Sequence, residues 1–250
     1  MVKILPLVLV AALLLAAQPA HSAEPGAAVD YSPYAELLRE HVRGGLVDYA
    51  GIQRQRAKLE RFLENLAQVD PGSLSRDQKL AYYINAYNAW TIWLILTKYP
   101  DLESIKDLGG LFSSPWDKEI VRLNGKVFTL DQIEHEVLRP TFKDPRIHFA
   151  VNCASKGCPP LLNRPYTGAE VQGQLQAQAT AFINDPARTR LQGNTLYVTK
   201  IMDWFSEDFD DDPVGFVKKY AQDDFKRRLE GLGGQVEVEY LDYDWSLNNR

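Results

Sequence analysis

The sequence predicts an α+β fold, mostly helical, with a small antiparallel β-sheet and one buried central helix. Three observations carry this. Residues 80–96 are apolar nearly all round, the pattern of a helix enclosed by its own protein. Asn124-Gly125 lies between two short extended runs, residues 118–121 and 126–129, and is a strong hairpin signal. Residues 236–241 alternate as a strand does, while most of the remaining chain follows helical spacing.

Taken in order, residues 1–22 read as a secretory signal peptide, with a single Lys3, an apolar run over 4–17 and small residues at Ala20 and Ser22. That run is short of the roughly 20 residues a bilayer span needs. The expectation is therefore cleavage, periplasmic or secreted localisation, and no membrane span in the mature form. Residues 23–33 are expected to be a flexible leader and 34–250 a single domain. Tyr34, Leu37, Leu38 and Val42 have helical spacing, closed by Gly44-Gly45. Residues 53–69 make an amphipathic helix with Leu59, Phe62, Leu63 and Leu66 on one stripe.

The central helix starts at Ser75, an N-cap with Asp77 in the first turn and Gln78 completing a capping box, and Pro100 follows its end. It carries Asn85 and Asn88, three apart on one face. Buried amides are costly unless bonded, so these either tie loops to the core or line a site. Residues 131–139 form a short helix bearing Glu134, His135 and Glu136, stopped by Pro140. Residues 168–183 read as a helix, 195–199 as a strand after Gly193-Asn194, and 213–221 and 223–229 as short helices.

The formal net charge is −5, and loss of residues 1–22 makes it one unit more negative. With no basic cluster, nucleic acid is not an expected partner. The chain has two cysteines, both within residues 144–161, DPRIHFAVNCASKGCPPL. Residues 147–153 read as a buried strand, which would put His148 and Cys153 on opposite faces. Ala154-Ser155-Lys156-Gly157 is turn-prone, and Pro159-Pro160 ends regular structure.

Five segments together resemble the domain-of-unknown-function 547 (DUF547) family: YINAYN at 83–88, DQIEHEVLRP at 131–140, the cysteine stretch, WFSEDF at 204–209 and YDWSL at 243–247. The resemblance implies a compact, mostly helical domain with a small sheet. It also implies functional roles for the His and Cys positions, without supplying a reaction.

A cysteine nucleophile needs a base to form thiolate and a third group to orient that base. Cys153 or Cys158 with His135, oriented by Glu134 or Glu136, is the preferred catalytic set, with Asn85 or Asn88 able to polarise a carbonyl or orient the imidazole. His148 is a further candidate binding residue, while His41 reads as surface. Trp204, Tyr243 and Trp245, with Phe205, form an aromatic group able to line a groove.

The expected function is a thiol-dependent hydrolase or acyl transferase acting on an envelope peptide or amide, with an unidentified peptide or small-molecule ligand. The alternative is a non-catalytic binding module stapled by a disulfide, a bond worth about 2–3 kcal/mol for so short a loop. The C-x4-C spacing is not that of thioredoxin-like folds, so a redox role has weak support. No cofactor and no metal are assigned, since the His and Cys spacing matches no common zinc site and the acids at 208 and 210–212 lack the pattern of a calcium loop.

Overall fold

The computed structural model describes residues 29–110 and 113–250. The expected signal peptide and most of the leader lie outside the described residues. The fold is α+β, and helix dominates it.

The organising element is the helix Arg76–Leu96, fifteen of whose side chains are buried. Its low amphipathicity explains the placement: a helix apolar on every side gains only by being covered on every side. The capping box at Ser75 and Gln78 is formed, each side chain bonding the other residue's backbone N–H. Around it pack Arg56–Ala67, Val171–Ile183 and Tyr49–Arg54, while Ser32–His41 lies against Arg56–Ala67. Tyr82 reaches out of the central helix to donate its hydroxyl to the Leu66 carbonyl at 2.9 Å, satisfying one of the last carbonyls of Arg56–Ala67.

The sheet is smaller and more divided than expected. Val121–Leu123 and Lys126–Phe128 form the hairpin anticipated at Asn124-Gly125, with both turn residues at positive φ. Gly44-Gly45 does more than end a helix: with φ of 58° and 83° it turns a second, two-residue hairpin between Val42–Arg43 and Leu46–Val47. The third sheet is mixed rather than antiparallel, because Glu237–Tyr240 runs parallel to Thr195–Val198, itself antiparallel to Arg190–Gln192. A parallel pair needs a crossover, which the helices Pro213–Tyr220 and Asp223–Gly231 supply.

His41, expected at the surface, is 4% exposed. The Val42–Val47 hairpin folds back, the Asp48 backbone N–H reaches the His41 carbonyl at 2.8 Å, and Asp48 Oδ2 lies 3.2 Å from His41 Nδ1. Gly51 sits directly beneath this pair, and a Cβ there would collide with the His41 ring and the Asp48 carboxylate. Gly51→Ala is expected to destabilise the fold by about 1–2 kcal/mol in urea unfolding, as overpacking does.

Two buried apolar clusters make up the interior. The larger surrounds the central helix, and the second joins Phe182, Leu196, Met202, Phe209 and Phe216 around the mixed sheet. The cysteine stretch runs along their seam: Phe149 belongs to the second cluster, while Ala150, Val151 and Ala154 belong to the first. Among the described residues no helix is long and apolar enough to cross a membrane.

Candidate functional site

At that seam opens a cleft of about 200 Å³. The structure corrects the backbone reading here. Residues 147–153 are not a strand; Pro145–Phe149 is a 3₁₀ helix, N-capped by Asp144 accepting from the Arg146 N–H, and the chain then continues without regular structure. Pro145 at the first helical position and Asp144 before it are a helix-start signature that outweighs the β propensity of Ile147 and Val151. The strand argument that separated His148 from Cys153 therefore fails, and both face the cleft.

The loop after Phe149 is held by amides. Asn88 Nδ2 donates to the Ala150 carbonyl at 2.9 Å, and Asn88 Oδ1 accepts from the Asn152 N–H at 2.8 Å. Asn152 in turn gives Nδ2 to the Pro159 carbonyl at 2.8 Å. Its Oδ1 accepts from the Ala154 N–H at 3.0 Å and from Asn248 Nδ2 at 3.2 Å. That turn carries Ala154 into the left-handed region at φ 61°, a strained choice for alanine that the Asn152 acceptor secures. Asn85 plays the same part elsewhere, bonding both the carbonyl and the N–H of Tyr166. Neither Asn85 nor Asn88 lines the cleft, so of the two roles the sequence allows them they take the loop-tying one.

Cys153 and Cys158 are joined in a disulfide on the cleft wall. Cys158 is 4% exposed, while Cys153 is only partly buried. Donors converge on the two sulfurs. The Cys153 backbone N–H points at Cys158 Sγ from 2.9 Å, Tyr243 Oη stands 3.1 Å from each sulfur, and Ser155 Oγ is 3.2 Å from Cys153 Sγ. Ser155 also donates to Tyr243 Oη at 3.1 Å. Burial pushes the Tyr243 phenol up to about 12 against the pull of the Ser155 hydroxyl, so at neutral pH it keeps its proton and donates.

The acid–base side comes from the helical segment that starts at Leu130. The expected stop at Pro140 does not occur. Leu130–Gln132 is α-helical, Ile133–Leu138 is a π-helix, and Arg139–Phe142 is α-helical again, ending at Lys143 with φ 50°. Arg139 already bonds back to the Glu134 carbonyl, five residues away, and the widened turn accommodates a proline that has no N–H to give.

His135 and Glu134 both reach the cleft from this turn, but they do not serve each other. Arg139 Nη1 donates to His135 Nδ1 at 2.7 Å, and Asp131 lies 3.5 Å from His135 Nε2. Glu134 instead faces His148, with Oε1 3.8 Å from Nδ1. His148 is 2% exposed, bonds Asp208 through Nε2 at 2.6 Å and stacks on Phe205 at 4.2 Å between ring centres. Arg139 Nε reaches the same Asp208 oxygen at 2.5 Å and also pairs with Glu207. Burial works to raise the Asp208 carboxyl, but the bonds from His148 and Arg139 prevail and bring it down to about 2.

Trp204, Tyr243 and Trp245 meet as expected, with ring centres 4.5–5.6 Å apart, and Trp116 adds an edge to Trp245 at 5.9 Å. Lys106 Nζ lies 3.7 Å from the Trp245 ring centre on this wall, and Trp204 is 44% exposed. From the central helix Tyr87 also reaches the cleft. Burial, reinforced by the Glu134 carboxylate, holds its phenol well above the ordinary range and therefore protonated.

Asp208, Arg139, Tyr87 and Ser155 are the residues that sequence reasoning left out of the site. Asp208 belongs to a run of acids without the pattern of a calcium loop, and the signal available for it is its place in the WFSEDF segment beside Phe205. Among the described residues no group of three or more His, Cys, Asp or Glu side chains is placed to hold a metal ion.

No curated protein and no solved structure matches the chain. One family model, described as "Protein of unknown function, DUF547", matches residues 71–183, a segment that takes in the central helix, the π turn, His148 and both cysteines and ends with Val171–Ile183. Asp208, Tyr243 and Trp245 lie beyond that match. Through residues 71–183 the chain belongs to the DUF547 family.

Proposed function

We propose that the cleft is a thiol-dependent acyl-transfer site, hydrolase or transferase, whose nucleophile is Cys153 once the bond to Cys158 has been opened by a thiol reductant. The observation that carries this reading is the placement of His148, a buried imidazole fixed by Asp208, on the same cleft as the partly exposed Cys153. It is the nucleophile, base and orienter logic of thiol enzymes, with His148 and Asp208 in place of the sequence-preferred His135 and Glu134.

In the reaction the Cys153 thiolate attacks an amide or ester carbonyl carbon. The leaving amine or alcohol departs with a proton from the imidazole. Water or an acyl acceptor then releases the thioester. The aromatic wall of Trp204, Tyr243 and Trp245 suits an extended peptide or a flat ring as the ligand. An exported setting accords with the leader and with a disulfide, which such a compartment permits; a component of the cell envelope is then the natural substrate.

Acylation of the reduced protein by an activated ester, followed by mass spectrometry, tests this. The acyl group should sit on Cys153 and be absent from Cys153→Ala. His148→Ala should acylate about 10²-fold more slowly, the usual size of a lost base. Acylation of reduced wild type no faster than that of free cysteine would sink the proposal. A second reading, a binding module stapled by a permanent disulfide, is favoured by the closed bond itself. It predicts ligand binding unchanged in the Cys153→Ala/Cys158→Ala double variant.

A further inference from the structure

We infer that the Cys153–Cys158 bond is an exchange-active couple that oxidises a dithiol bound in the cleft, with Cys153 as the attacked sulfur and Cys158 as the leaving one. The inference rests on the reading that the two sulfurs carry the chemistry of this cleft, and it adds a second activity to them.

The asymmetry of the two sulfurs assigns the roles. A nucleophile arriving from the cleft meets Cys153, which is partly exposed, before Cys158, which is 4% exposed. The leaving group needs its new charge stabilised: the Cys153 N–H points at Cys158 Sγ from 2.9 Å, and the Tyr243 hydroxyl, 3.1 Å from each sulfur, is free to turn its hydrogen to whichever becomes the thiolate. Ser155 stands behind, donating to Tyr243 Oη, so the phenol gives its hydrogen forward while receiving one. Arg188 Nη1 donates to the Cys158 carbonyl at 2.8 Å and places a positive charge beside the loop. Against it stands the Glu134 carboxylate, with Asp131, His135 and His148 also lining the cleft. Hydrogen bonds to the charged form are what make a thiolate a good leaving group in a buried setting.

The step balances as follows. One thiolate of the dithiol attacks Cys153 Sγ, the S–S bond breaks, and its electron pair leaves on Cys158 Sγ. The product is a mixed disulfide on Cys153. The second thiolate of the dithiol attacks its partner sulfur and Cys153 departs as thiolate. Two electrons have passed from the dithiol, now a disulfide, to the protein pair, and the two protons pass to the cysteines or to water. The reverse sequence reoxidises the pair at the expense of any disulfide of higher potential.

The test is native-state reduction of the intact protein, followed by trapping and mass, with dithiothreitol in one arm and a reduced two-cysteine peptide in the other. Both should reduce the bond without denaturant. A faster peptide arm assigns a peptide substrate, and equal arms assign a small dithiol. Tyr243→Phe should slow reduction about 10-fold and raise the alkylation pH midpoint of the Cys158 thiol in Cys153→Ala by about one unit. A residue that only packed would not move that midpoint. Ser155→Ala should shift it in the same direction by less.

A wild-type bond that opens only when the protein is unfolded would overturn the inference, as would identical midpoints with Tyr or Phe at 243. Protein reduced in denaturant and refolded can still be tested for acylation at Cys153. Failure of exchange is thereby distinguished from failure of the acyl-transfer reading.

Discussion

Replacing Asn152 with alanine is expected to lower the unfolding free energy by about 3 kcal/mol. The side chain serves three partners at once, the Pro159 carbonyl, the Ala154 N–H and Asn248 Nδ2, in a region where Asn152 itself is 5% exposed. Each orphaned buried partner costs on the order of 1 kcal/mol or more. Ala154 also loses the bond that secures its left-handed backbone.

Urea unfolding should show the midpoint falling at unchanged slope. Asn152→Asp keeps the two acceptor bonds but sets a buried carboxylate without a cation against the Pro159 carbonyl, so it should destabilise at neutral pH and recover as the pH falls far enough to protonate it. A loss under 1 kcal/mol for Asn152→Ala would mean that the loop is held by its disulfide. A bond closing so short a loop contributes only about 2 kcal/mol in the chain-entropy model.

The second large effect is at Arg139. Its guanidinium serves Asp208, Glu207 and His135 together, and its side chain is 15% exposed. Arg139→Met is expected to cost about 2–3 kcal/mol at pH 7, because it leaves Asp208 partly buried with only His148 beside it.

The loss should depend on pH in a definite direction. In the folded protein the Asp208 carboxyl is drawn down to about 2, against burial, by His148 and Arg139. Stability from that ionised form is fully present above the ordinary carboxyl value of about 4 and is lost as the pH falls towards 2. Without Arg139 the folded value moves back up. The gap between variant and wild type should therefore narrow steadily from pH 4 down to pH 2. A gap that stays constant over that range would assign the Arg139 contribution to packing on Phe205, whose ring centre lies 5.0 Å away, rather than to charge.

Local signals carried well from sequence to structure. The capping box at Ser75, the turn at Asn124-Gly125 and the all-round apolar helix each depend on neighbours a few residues apart, and each is formed. The aromatic group of Trp204, Tyr243 and Trp245 assembles, and the cysteines pair. What failed was competition between local signals. At residues 147–153 β-branched residues suggested a strand, yet Asp144-Pro145 starts a 3₁₀ turn that swings His148 into the cleft. At Pro140 the stop rule assumed a regular α-helix, and the π turn before it changes which carbonyl is in reach. The pairing of His148 with Asp208, sixty residues apart, has no local signature at all. Glu134 and Glu136 flank His135 in sequence, but adjacent helical residues point apart.

Residues 243–248 also close the cysteine loop. Val47 N–H bonds the Asn248 carbonyl, Tyr49 donates to Asn248 Oδ1 at 2.7 Å, and the Asn248 N–H bonds the Ala154 carbonyl. Lys156 and Gly157 bond the carbonyls of Ser246 and Asp244, and Tyr243 lies against both sulfurs. A ribosome delivers Cys153 and Cys158 well before it delivers residues 243–248. During synthesis the two thiols therefore exist for a time in a loop with no phenol and no seat, open to any oxidant they meet. The nascent chain can acquire its bond early, whereas the Tyr243 hydroxyl emerges 85 residues after Cys158. Order of emergence thus separates forming the disulfide from conditioning it.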